Sequence, residues 1–169
     1  MWSMWVIAVM IALAGYYSLA DQQEMATTVA EKSAESLANN MAIYRAGVID
    51  YYTRNPTFGE NTVNFSQLVA GPIKSLPDWY QPPMINSTKI LWANRIKDGE
   101  IYIYANEIPK INIISEITKL SQNSINTGEK KAGFDVLFSP VRGQTDIPLP
   151  IFTSNPIPDG SPVWLATAN

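Results

Sequence analysis

The side chains of this chain that are equipped for chemistry are mostly carboxylates. Asp98, Glu100, Glu107 and Glu116 fall close enough in sequence to offer an acid and base pair. Two of them flank a turn, where solvated charge is ordinary, and nothing around any of the four predicts a shifted pKa. We therefore expect no enzyme. The chain contains no histidine and no cysteine, which removes the common transition-metal sites, cysteine nucleophiles and every Ser-His-Asp arrangement. It also has no G-x-x-x-x-G-K-[ST] loop and no G-x-G-x-x-G turn, so neither ATP-driven work nor dinucleotide chemistry has a recognisable cradle. The expectation is a protein without catalytic residues, metal or cofactor.

Two further groups invite binding hypotheses. Lys130-Lys131 forms a local cationic corner, too small to act as a patch, and a net charge of -3 gives no electrostatic case for nucleic acid. Five tryptophans and eight tyrosines raise the idea of a stacking or carbohydrate surface. Trp79 and Tyr80, held between Pro77 and Pro82-Pro83, are the candidate exposed-aromatic contacts. The remaining rings are expected to serve a core or an interface.

The elements that position these residues begin with an apolar run. Trp2 to Ala20 contains no charged residue and spans about 28 Å as a helix, close to the hydrocarbon thickness of a bilayer. Trp2 and Trp5 at one end, with Tyr16 and Tyr17 at the other, suit the two membrane interfaces. A secretory signal peptide is the competing reading: Ser18-Leu19-Ala20 has the small residues that would permit cleavage before Asp21. The length of the run and the lack of a Lys or Arg ahead of it favour retention. The simplest topology leaves Met1 in the cytoplasm and carries the remaining chain across the membrane.

From Met25 onward, Val29, Ser33, Leu37, Met41, Tyr44, Val48 and Tyr51 or Tyr52 recur at three- or four-residue spacing, a single helical stripe. No proline precedes Pro56, so one helix is expected to run to about Arg54, with Gly15 and Gly47 permitting bends. Its later part, Leu37 to Tyr52, is expected to pack on the chain's own domain. Met25, Val29, Ser33 and Leu37 are the candidate contacts for partner helices, because Ala26, Ala30, Ser33 and Ala34 allow close approach.

Residues 56–169 are enough for one domain with its own core. A short, broken helix is expected around Ser66 to Leu76. Lys89 to Arg95 and Glu100 to Glu107 predict a hairpin turning at Asp98-Gly99, with Ile101 and Ile103 on one face and Tyr102 and Tyr104 on the other. Ile111 to Gln122 has helical spacing, Gly128 marks a turn, and Phe134 to Phe138 and Val163 to Ala166 predict two more strands. The prolines at 140, 148, 150, 156, 158 and 162 predict that Ser139 to Pro162 is an ordered surface loop. The sequence thus divides into an anchor (1–20), an amphipathic stalk (21–55) and a globular periplasmic α+β domain (56–169). The expected fold class is α+β: a long N-terminal helix, transmembrane then amphipathic, packed on a small antiparallel sheet with one or two further helices.

The layout of Met1-Trp2 opening an uncharged span, a stalk ending near Asn55-Pro56, and a hairpin-containing domain closing on Val163-Trp164-Leu165 resembles the PilM family of inner-membrane pilus biogenesis proteins. That family is distinct from the cytoplasmic actin-like protein sharing the name. The resemblance implies an accessory component of a type IVb or conjugative thin pilus, anchored singly in the bacterial inner membrane at the pilus base or pilin transport apparatus. Its implied partners are the lipid bilayer, other pilus-assembly or pilin subunits, and further copies through the N-terminal helix. The stalk is also similar to the N-terminal helix of type IV pilins, although Trp5 stands where a mature pilin typically has glutamate. A pilin-like minor subunit of the fibre is therefore the first alternative, and a membrane-tethered carbohydrate-binding module the second.

Overall fold

The computed structural model describes residues 2–55, 61–151 and 156–167, with the side chains of the first helix described from Thr28 onward. Helix α1 runs unbroken from Trp2 to Arg54, 53 residues and roughly 80 Å. The expected interface residues Trp2, Trp5, Tyr16 and Tyr17 lie outside the described side chains. Among the described residues no helix is long and apolar enough to cross a membrane. Pro56 restricts the residue before it and so sets the helix end, where the Asn55 N–H bonds back to Tyr52 O.

Six strands follow in one antiparallel sheet: β1 (Trp92–Lys97), β2 (Glu100–Ala105), β3 (Thr127–Lys130), β4 (Val136–Ser139), β5 (Gly143–Pro148) and β6 (Pro162–Thr167). Their spatial order is β1-β2-β6-β3-β4-β5, so the last strand in sequence is inserted between the second and the third. Two short helices, α2 (Phe65–Ala70) and α3 (Ile114–Leu120), complete the fold.

The predicted hairpin is present. Asp98 and Gly99 both have positive φ, 52° and 77°, as a tight turn compatible with strand twist requires. Its alternation divides two cores. Ile96, Ile101, Ile103, Trp92 and Trp164 face α1, which contributes Ala38, Met41, Tyr44, Val48 and Tyr51. On the opposite face Tyr102, Tyr104, Val163 and Leu165 are covered by Leu137, Leu149 and Ile157. The helical stripe from Leu37 to Tyr52 therefore packs on its own domain, as its periodicity predicts. Gly47 lies inside the continuous helix and is buried where Leu76 closes on α1, so a β-carbon there would lie 2.6 Å from Leu76 Cδ2.

Two expectations need correction. Gly128 does not mark a turn but sits inside β3, paired with Val163 of β6. Ser139 to Pro162 is not a continuous loop. It contains β5, an edge strand in which prolines are tolerated, and Pro162 opens the central strand β6 at the first position, where a missing donor costs least. The β4–β5 pairing is irregular between Val136 and Phe138, and the Thr145 hydroxyl fills the gap by donating to Leu137 O at 2.7 Å. The short, broken helix expected around Ser66 to Leu76 is α2, whose regular part, Phe65–Ala70, stops at Gly71-Pro72.

Burial of tyrosines couples this fold to alkaline pH. Tyr44 is almost fully buried, and loss of solvation pushes its pKa up from 10.0 to about 12 despite the hydrogen bond from Asn94. A folded pKa above the unfolded one gives stability that is complete below pH 10 and is lost as pH rises through about 12. Two units correspond to about 2.7 kcal/mol. Denaturant midpoints measured from pH 9 to 12 should fall across this window, and Tyr44→Phe should flatten the decline.

Candidate interaction surface on the long helix

The candidate site is the stretch of α1 where the helix leaves its domain. Here a half-buried polar residue beside the apolar stripe, Asn40, ties the helix to its domain. Its Oδ1 accepts from Trp92 Nε1 and from the Tyr80 hydroxyl, each at 2.8 Å, while its Nδ2 donates to Gln81 O at 2.9 Å. Strand β1 and the proline-flanked loop are thereby tied to one turn of the helix. Tyr80 is buried, and desolvation moves its pKa upward.

One turn toward the N-terminus the packing thins. Leu37 is half-buried against the core, Ser33 is half-buried with its hydroxyl donating to Val29 O at 2.8 Å, and Val29 is 63% exposed. These three share an open cleft with Lys32, Pro83 and Ile111. Three of the four expected partner contacts are thus brought together, whereas the side chain of Met25 lies outside the described residues. Across the helix, Lys119 of α3 bonds Glu116 at 2.7 Å, and that bond, helped by Glu31 and Glu35 of α1, raises its pKa.

Further along, Arg45 lies half-buried with its guanidinium 4.9 Å from the Trp164 ring centroid and Nη2 donating to Leu165 O at 3.2 Å. Desolvation lowers its pKa, and its Nε has no hydrogen-bond partner among the described residues. The guanidinium thus combines a cation–π contact with a backbone hydrogen bond across the sheet.

The other expected residues are dispersed. Trp79 is 70% exposed, as expected, but Tyr80 is only 4% exposed. The paired aromatic contact is therefore corrected to a single exposed indole, because the Tyr80 hydroxyl is drawn inward by Asn40. Tyr80→Phe should lower stability by about 1 kcal/mol, while Trp79→Ala should stay within about 0.5 kcal/mol of the parent; urea unfolding checks both. Glu100 accepts from Tyr102 Oη at 2.8 Å and Glu116 pairs with Lys119, so these two carboxylates occupy separate places. Lys130 is tied to Ile157 O and Asp159, both at 3.1 Å, and Lys131 to Glu129 at 3.5 Å.

The sequence reading missed Asn40, Arg45 and Asn94. A polar residue at a position where the strand period demands an apolar one is the signal that marks Asn94, whereas periodicity assigns Asn40 and Arg45 to the polar face of the helix.

These features define a long-helix α+β protein, with one extended helix docked along its C-terminal part on a six-stranded antiparallel sheet. The PilM family model matches residues 8–165, and the chain belongs to that pilus-related family. A crystal structure of a PilM protein from Escherichia coli B7A is similar, at 17% identity and a TM-score of 0.51, over 80% of this chain and 93% of that one. The likeness is one of fold. No curated protein matches the chain.

Proposed function

We propose that this protein is an accessory component of type IVb or conjugative thin pilus biogenesis, acting by subunit contacts and without catalysis at the pilus base or pilin transport apparatus. Trp2 to Ala20 anchors it in the bacterial inner membrane as a single span, and the domain lies in the periplasm. The observation that supports this best is the division of α1: Ala38 to Tyr51 is sealed against the sheet, while Val29, one to two turns beyond the last contacts, is exposed beside a cleft. A helix that projects past its own domain with an apolar residue uncovered suits a contact with other subunits or other copies. Membrane fractionation combined with pilus counts in a deletion strain tests the proposal; full piliation without the protein would end it.

One observation favours a second reading, a pilin-like minor subunit. The C-terminal part of a long helix packed on an antiparallel sheet is the arrangement that lets N-terminal halves bundle inside a fibre. Sheared pili that lack the protein would count against this.

A further inference from the structure

The two edges of the sheet are treated differently by the chain. The outer edge of β1 is closed by the segment 61–63: Ile96 N–H donates to Asn61 O at 2.9 Å, and the buried Asn94 side chain bonds both the N–H and the C=O of Val63 at 2.8 Å. Nothing equivalent covers β5 among the described residues. Leu149 N–H bonds inward to Asp135 O, and Ile147 N–H meets the Thr145 hydroxyl that fills the β4 side. Because backbone direction alternates along a strand, the N–H and C=O groups of Gln144 and Asp146 point away from the sheet. Outside the β4–β5 ladder no backbone hydrogen bond is made to them among the described residues.

We propose that the outer edge of β5 is a strand-addition site that takes an extended segment of a different chain. An outward row of backbone donors and acceptors is complementary to another extended backbone. The side chains specify its chemistry. Thr145 is buried and Ile147 packs on the second core, so apolar side chains suit that face of the incoming strand. Gln144 and Asp146 are exposed on the other face, and Asp146 has no ion-pair partner among the described residues, so a lysine or arginine suits the position beside it. The occupant is therefore a strand alternating apolar and basic residues.

A second copy fits less well. Head-to-tail addition of β5 to β1 is blocked by residues 61–63. Antiparallel pairing of β5 with β5 places the two-fold axis along the sheet normal and turns the two α1 helices in opposite directions. That exclusion rests on the proposed anchor, since two opposed helices cannot both enter one bilayer.

The test uses the full chain in detergent micelles and a synthetic peptide of alternating valine and lysine, followed by amide exchange. With peptide at about nine times its Kd, exchange at Gln144 and Asp146 should slow about tenfold while the amides of β1 are unchanged. Asp146→Pro removes one outward N–H and no bond to β4, and should abolish the effect at an unchanged thermal midpoint; Asp146→Lys should weaken the valine–lysine peptide and favour a valine–glutamate one. Absence of protection, protection centred elsewhere, an unaltered response in Asp146→Pro, or dimerisation through β5 overturns the proposal. Failure here leaves the pilus reading standing, and full piliation in a deletion strain leaves the peptide result standing.

Discussion

Gly128→Ala is expected to pull β3 away from β4 and to unfold the distal part of the sheet. A β-carbon at this position would lie 2.0 Å from Phe138 O and 2.6 Å from its carbonyl carbon. Both obstacles are backbone atoms, held by the Glu129↔Phe138 pairing next door, so no side-chain rotation relieves them. A clash of this kind belongs at or above the upper end of overpacking costs, about 3 kcal/mol or more. For a domain of this size that lowers the thermal midpoint by roughly 10 °C. Gly99→Ala is the instructive comparison. Nothing lies within 4 Å of its added carbon, and only its φ of +77° opposes the change, so the loss should be nearer 1 kcal/mol. Calorimetry on both variants separates a spatial requirement for glycine from a conformational one.

Asn94→Ala should be comparably severe for the opposite reason, since it removes atoms that three other groups depend on. The Asn94 amide donates to the Tyr44 hydroxyl at 2.7 Å and to Val63 O at 2.8 Å, and its oxygen accepts from Val63 N at 2.8 Å. All three partners are left in a dry interior, each costing about 1–3 kcal/mol when unpaired. We expect a net loss of about 4 kcal/mol and release of the segment that closes β1. Urea denaturation gives the magnitude. A double-mutant cycle with Tyr44→Phe should show a coupling of at least about 1 kcal/mol, because the two side chains form one network.

How much of this was legible depended on whether the local pattern and the tertiary demand agreed. They agreed along α1, where three- and four-residue spacing marked Met41, Tyr44 and Val48, and at Asp98-Gly99, where the turn chemistry and the flanking alternation pointed the same way. They disagreed in the distal sheet. Thr127-Gly128-Glu129-Lys130 has a single β-branched residue and no aromatic one, and it becomes a strand because β6 and β4 approach it from both sides. Gly143 to Pro148 looks like a loop because it is an edge, where proline and charge are permitted on the open side. For the candidate surface, Val29, Ser33 and Leu37 were found by periodicity. The burial of Tyr80 was hidden because its partner, Asn40, lies in a distant part of the chain.

The placement of β6 has a consequence for biosynthesis. Since Pro162–Thr167 is the last of the six strands in sequence yet joins β2 on one side and β3 on the other, a nascent chain that has not reached residue 162 possesses only a β1-β2 hairpin and a separate β3-β4-β5 meander. Neither fragment can seal the face of α1 that Trp164 and Ala166 cover. Completion of the domain therefore waits until residues 162–167 have left the ribosome, and until then the docked stretch of α1 keeps its apolar side chains uncovered. A prematurely terminated product would be a substrate for quality-control proteases instead of a weakened version of the whole.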